Sequence, residues 1–250
     1  MVLLATSQAA FGEGWGHFKG RLTYEGKPPQ PAVIRVPAGF CGGLNLKIES
    51  LLVHPTNGGV KNVVVYLYVS SKGRKLDVHP DYAKRPKKVR IDNKNCRFDP
   101  HIVALTVDQT LVIGNPDPVA HNSKLDVLNE ENFSINLLIP AKTSVEYKYN
   151  AEERLPNPVS CNIHPWMTGY VVVKDTPYVS ITDEDGNFEI KNLPVGEWSF
   201  RLWHEKIGYV QKVKVAGKST TWKRGEVQVV IEDGKTYNFG EVKSTFSTGR

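Results

Sequence analysis

The strongest constraint on how this chain can fold is the punctuation of its apolar residues. Short runs rich in Val, Ile, Tyr, Phe and Thr alternate with Gly, Pro, Asn and Asp, the pattern of short strands joined by turns. No segment of about 12 residues or more keeps a helical period. Strands are expected at 17–24, 32–36, 61–69, 88–93, 102–115, 133–139, 144–149, 169–175, 178–183, 187–190, 197–204, 209–215 and 227–232, with a turn or short helix in 124–132. Such a chain is all-β, built as sandwiches or barrels.

The 250 residues give room for one large β domain or two ordinary ones. The longest apolar runs, such as "VVVYLYV" at 63–69, have strand length and fall far short of the ~20 residues of a membrane helix, so no membrane span is expected. The net charge is +6, with basic residues gathered in 72–97. No nucleic-acid-binding motif accompanies them, so they read as a solvated face and nucleic acid is not an expected partner. An acidic docking partner is the alternative. The opening "MVLLATSQAA" lacks a basic start, yet "VLLATSQAA" looks like the tail of a signal peptide, with Ser7 and Ala9 at the −3 and −1 positions. Residues 1–10 are therefore read as a signal-peptide remnant, and the chain as periplasmic or otherwise extracytoplasmic.

The three cysteines allow one bridge and one free thiol. Cys41 in "GFCGG" and Cys96 in "NKNCRF" lie in polar, turn-rich settings. A bridge between them would contribute ~4 kcal/mol on the chain-entropy argument; two unrelated thiols are the alternative. Cys161 is then left over, and it lies in "PVSCNIHPWMTGYVVV" (158–173), three residues from His164, which is three from Met167. These sulfurs are either core filler at a strand end, with His164 a surface residue, or ligands of one soft metal. Two imidazoles, a thiolate and a weak axial thioether make the blue-copper electron-transfer set. The second imidazole is expected from His121 in "IGNPDPVAHNSKL", read as ending a strand at the same end of the sandwich as the Cys161–Met167 loop.

"CNIHPWMTGYVVV" resembles the copper loop of the small cupredoxins, closest to the amicyanin form, and "DNKNCRFDPHIVALTVDQTLVIGNPDPVAHN" resembles their N-terminal half. The similarity covers about residues 88–175. The resemblance implies a Greek-key cupredoxin sandwich of the amicyanin and plastocyanin kind. In it His121, His164, Cys161 and Met167 hold one type 1 copper, Asn122 braces the ligand loop, and His164, Pro165 and Trp166 form the electron port. Val159 stands where the family usually has an aromatic, with Pro158 before it, so a less regular strand is expected there. Residues 178–215, with "DEDGN" and "LPVGEW", resemble the carboxypeptidase regulatory-like domain, a prealbumin-like sandwich; its opening pattern also occurs in "GHFKGRLTYEGKPP". The whole resembles a planctomycete-type, methylamine-utilisation-like group. The expected organisation is an N-terminal β region at 11–87 that completes the C-terminal sandwich, a cupredoxin domain at 88–175, and a regulatory-like sandwich at 176–250. Two or three domains in series is the alternative.

Of the other histidines, His101 reads as structural, His17, His54 and His79 as surface residues, and His204 as a strand-end residue able to face a ligand or a neighbouring domain. The chain has no paired "H-x-H" for a trinuclear copper cluster, and no Ser–His–Asp order, zincin helix or phosphate-cradling Gly loop is recognised. The expected function is single-electron transfer, not enzymatic catalysis, with a redox protein such as a c-type cytochrome or a dehydrogenase as partner. The alternative is a structural or binding protein that uses the cupredoxin fold as scaffold for carbohydrate or protein contacts.

Overall fold

Strand Asn187–Pro194 shows the local rule at work: Phe188 and Ile190 are buried while Glu189 and Lys191 are exposed, the period of two that places alternate side chains on opposite faces. The computed structural model describes residues 14–36, 38–69 and 76–247; the signal-peptide remnant expected at residues 1–10 lies outside them. Among the described residues the helical elements are short 3₁₀ turns, and no helix is long and apolar enough to cross a membrane. The protein is an all-β assembly of packed sheets.

Among the described residues, four sheets form two sandwiches. In the first, the sheet ordered Asn187–Pro194, Trp15–Tyr24, Thr236–Ser244, Lys212–Val215 and Lys218–Thr221 faces the sheet of Val179–Ile181, Val64–Tyr68, Gly196–His204 and Gly208–Tyr209, with Glu226–Ile231 also paired to Gly196–His204. Between them Phe18, Leu22, Val65, Phe200, Ile231 and Val242 pack in one core. Trp15–Tyr24 and Thr236–Ser244 lie parallel, from His17 opposite Thr236 to Tyr24 opposite Ser244. The first and last strands of the described residues are thus hydrogen-bonded neighbours, and the central part of the chain leaves and re-enters this sandwich. The second sandwich sets Arg97–Asp99, Lys88–Lys94, Thr110–Asn115 and Thr143–Lys148 against Ile102–Thr106, Thr168–Lys174, Asn157–Ser160, His121–Leu125 and Ile135–Ile139. Its core holds Ile91, Phe98, Ile113, Val171 and Val173 together with Cys161 and Met167. Ile34, Val36, Leu44 and Leu46 also pack there, and the Cys41–Cys96 disulfide ties their strap to the turn after Lys88–Lys94.

Several expectations are corrected. The run 102–115 is two strands in two sheets, Ile102–Thr106 and Thr110–Asn115, because Gln109 folds back on Thr106 through backbone and hydroxyl bonds. The expected strand 32–36 is reduced to one bridge, Val33 with Lys47. The segment 209–215 divides into Gly208–Tyr209 and Lys212–Val215, and Thr236–Ser244 adds a strand that was not expected. His121 begins a strand where it was expected to end one. The strand before Cys161 is regular: Asn157–Ser160 pairs residue for residue with Thr168–Val171. Pro158 is tolerated because its carbonyl, which accepts from Asp126 N, and its missing N–H share the side on which the neighbouring strand stops at Leu125.

The two sandwiches meet through a third apolar layer. Val64, Tyr66 and Trp203 of one pack on Ile102 and Val172 of the other, and the Tyr170 and Trp203 rings meet edge to face at 5.0 Å. Lys174 Nζ lies 4.5 Å from the centre of the Tyr66 ring and donates to Glu153 O, so its buried charge is compensated. Beside the layer, His101 Nε2 bonds the Glu205 carboxylate, joining the sandwiches through two buried side chains.

His204, at the end of Gly196–His204, is enclosed, and burial pushes its imidazole down to about 4, partly opposed by Glu205. The folded state keeps the ring neutral while the unfolded chain takes up a proton below about pH 6.5. This contribution is therefore fully present above pH 6.5 and falls by about 3 kcal/mol as the pH drops to 4. Urea unfolding of His204→Gln should show a correspondingly flatter loss of stability over that range than the wild-type chain; parallel pH profiles would count against the assignment.

Candidate metal centre

Cys161 follows Asn157–Ser160 and Met167 precedes Thr168–Lys174, so the six-residue step between them joins two paired strands. Two backbone bonds close the loop: Cys161 N donates to Met167 O at 3.2 Å and Met167 N to His164 O at 2.8 Å. The Cys161 and Met167 side chains turn into the second core, both almost fully buried, while His164 is half-buried and Pro165 exposed. Strand His121–Leu125 is hydrogen-bonded to Asn157–Ser160, and this neighbour relation delivers the fully buried His121 to the loop.

The donor atoms converge. His121 Nδ1 and His164 Nδ1 are 2.9 Å apart, and Cys161 Sγ is 3.8 Å from His164 Nδ1. One nitrogen from each ring and the thiol sulfur all lie within 4.8 Å of one another. A single ion bound at about 2.0–2.3 Å from nitrogen and sulfur fits such separations. Two imidazoles and a buried thiol, with a thioether in the same core, form a soft donor set. Met167 ends the loop with its side chain buried in the same core.

The ring of His121 is held from its far side. Its Nε2 lies 3.0 Å from Asp117 Oδ2, and Asp117 also accepts from Asn95 N at 2.7 Å and Cys96 N at 2.9 Å. A carboxylate only accepts, so His121 carries its proton on Nε2 and presents a bare Nδ1 to the centre. Burial pushes His121 down from the ordinary imidazole range, with Asp117 opposing. Burial and then the adjacent His121 push His164 down too. Both rings therefore keep neutral nitrogen donors at pH 7.

Asn122 braces the loop. Its Oδ1 accepts from Asn162 N at 2.7 Å and Ile163 N at 3.1 Å and lies 3.4 Å from Cys161 Sγ, while its Nδ2 donates to Asn136. Trp166 lies 5.2 Å from the His164 ring, centre to centre, and donates from Nε1 to Cys96 O. The structure thus brings His121, Asn122, Cys161, His164, Trp166 and Met167 to one end of the second sandwich, with the Cys41–Cys96 bridge at its side. Asp117 was missed in the sequence. Two local signals pointed to it, its place in the Asn115–Asp117 pattern of the stretch that resembles the cupredoxins and its position four residues before His121, but neither was given a role.

No protein-family profile matches the chain, and no curated protein matches it. Solved structures similar to part of it include a Cu(I) form of an amicyanin mutant, 18% identical over 35% of this chain and 83% of the other, with a TM-score of 0.31. A purple cupredoxin from Nitrosopumilus maritimus is 22% identical over 34% and 98%, with a TM-score of 0.28. A copper-containing nitrite reductase from Thermus scotoductus SA-01 is 18% identical over 44% of this chain and 25% of the other, with a TM-score of 0.31. These likenesses are to cupredoxins and a copper-containing enzyme, but at such TM-scores they carry no weight beside the geometry.

Asn122→Ala removes the acceptor for two loop N–H groups at once. Copper affinity, measured by competition with a chromogenic chelator, should fall about ten- to a hundredfold while the far-ultraviolet spectrum stays unchanged. An unaltered affinity would mean that the loop holds its shape without this side chain.

Proposed function

We propose that this chain is an exported type 1 copper protein that carries single electrons between redox partners. The observation that carries the reading is the convergence of His121 Nδ1, His164 Nδ1 and Cys161 Sγ within 4.8 Å, with Met167 buried in the same core. Two imidazoles, one thiolate and a weak thioether suit copper in both of its oxidation states better than they suit a hard cation. Copper bound there would supply one-electron exchange between its +1 and +2 states.

The chain's own contribution is to hold the donors still. His121 is fixed by Asp117, Cys161 and the loop amides by Asn122, and the loop by its two backbone bonds. Donors held in one arrangement limit the nuclear movement that accompanies a change of charge. Of the three strong donors, His164 is the one that reaches solvent. Its exposed edge, with Pro165 and Trp166 beside it, is the proposed electron port. Ile163 and Leu138 are exposed nearby, Leu138 pairing with Asn122 across the strands, and a small apolar surface suits a weak, short-lived complex. A redox protein such as a c-type cytochrome or a dehydrogenase is the proposed partner, and an extracytoplasmic compartment agrees with the disulfide. Membership of the planctomycete-type group and the carboxypeptidase regulatory-like character of the first sandwich belong to this proposal. The chain is proposed to do no bond chemistry itself.

The copper-loaded protein should show an intense visible band and a narrow copper hyperfine splitting, and Cys161→Ser should abolish both. A colourless protein with an ordinary tetragonal spectrum would overturn the thiolate assignment.

Met167→Leu should keep the colour and the metal while raising the reduction potential, because a soft weak donor is lost and the three strong ones stay. Voltammetry giving an unchanged potential would recast Met167 as core packing behind the loop.

A further inference from the structure

Asn95 and Cys96 are the two central residues of the hairpin that pairs Lys94 with Arg97, and both have positive φ, 52° and 54°. That is a type I′ turn, whose second position is normally Gly. A cysteine there costs roughly 1 kcal/mol or more, so something must hold the turn. Three restraints do so. Cys96 is bridged to Cys41, its carbonyl accepts from Trp166 Nε1, and the paired Asn95 and Cys96 amides both donate to Asp117. The same Asp117 oxygen that receives the Cys96 amide receives His121 Nε2. The bridge sulfur of Cys96 itself lies within 4.8 Å of both an Asp117 oxygen and a His121 nitrogen. One short path therefore runs from the disulfide through the turn and Asp117 to a proposed metal donor. The disulfide and the proposed metal site thus share Asp117 as a common contact.

We infer that Asp117 is the positioning residue for His121, and that the Cys41–Cys96 bridge is a thiol-sensitive control on copper affinity acting through it. The control rests on His121 being a ligand, as proposed above. Cys41 is buried, but at 6% exposed against 0% for Cys96, and with Gly39, Phe40, Gly42 and Gly43 exposed around it, it is the less enclosed of the two. A dithiol reductant attacks the Cys41 sulfur, the S–S bond breaks, and Cys96 leaves as a thiolate that takes up a proton. The second thiol of the reductant then displaces Cys41 as a thiol and closes the reductant's own disulfide, so two electrons and two protons pass to the protein. The released Cys96 leaves the left-handed conformation, the amide pair turns away from Asp117, and His121 loses the fixed acceptor that sets its tautomer and ring orientation.

The test uses the full-length chain. In metal-free oxidised protein, ¹⁵N chemical shifts of the His121 ring should report a single tautomer with the proton on Nε2. After treatment with a dithiol and anaerobic desalting they should report a mixture, and Cu(I) affinity should fall about tenfold, the lower end for loss of a ligand's supporting partner. In Asp117→Asn, affinity should already be lowered and should not change further on reduction. Two bridge-free variants guard against simple unfolding. Cys41→Ser with Cys96→Ser should behave like the reduced protein. Cys41→Ser with Cys96→Gly, which restores the residue the turn prefers, should recover the single tautomer and the oxidised affinity. The proposal is overturned if reduction leaves tautomer and affinity unchanged, if Asp117→Asn loses the same factor on reduction as wild type, or if the glycine variant is as impaired as the serine variant. Should the oxidised protein bind no copper at all, the copper reading falls, and with it the control on affinity, whereas the tautomer measurements still decide whether the bridge positions His121.

Discussion

The rest of the structure depends on the burial of strand Thr168–Lys174 on both of its faces. Val171 and Val173 point into the core that contains Cys161 and Met167, while Val172 points into the layer between the sandwiches with Tyr66 and Trp203. Three successive valines thus serve two cores, which is possible only where a sheet is covered on both sides. The loop from Cys161 to Met167 ends where this strand begins. Its position is set by apolar packing on both sides of a strand that has little freedom to shift, since a slip of one residue would exchange the two faces.

A frame of paired asparagines lies beneath the site. Asn93 donates to Gly114 O and Ser123 Oγ; Asn115 donates to Val119 O and Ile139 O and accepts from Asp117 N. These bonds fix the turn between Thr110–Asn115 and His121–Leu125, so Asp117 and His121 start from a rigid base. Buried polar groups that each have partners define one arrangement, because any alternative leaves some of them unsatisfied. Packing from the valine strand and bonding from the asparagine frame meet at the four proposed donors. For the electron carrier proposed here, this division supplies a braced site with one edge, His164, left open.

Much of the site was readable because its spacing is local. Cys161, His164 and Met167 fall on one loop by sequence alone, and Asn122 travels with His121. The strap was less readable: residues 32–36 have strand composition but form one bridge, because Ile34 and Val36 pack on the second core while Cys41 is pinned to Cys96. The division of 102–115 was hidden for a related reason. Both halves are continuous apolar runs, and the corner is marked by bonds such as those of Gln109 to Thr106, which the sequence does not announce.

The sequence by itself determined the all-β class, the strand-length apolar runs and the Cys–His–Met loop, since each follows from spacing within a few residues and from side-chain chemistry. The tertiary structure alone decided that the first and last strands pair, that the two sandwiches share an apolar layer, and that Asp117 links the disulfide turn to His121. Apart from the Asp117–His121 bond, which spans four positions, those outcomes rest on contacts between residues tens to hundreds of positions apart. Which of many apolar strands meets which, and which carboxylate is buried beside which amide, is settled only when the sheet faces are covered and most buried polar groups are paired at once.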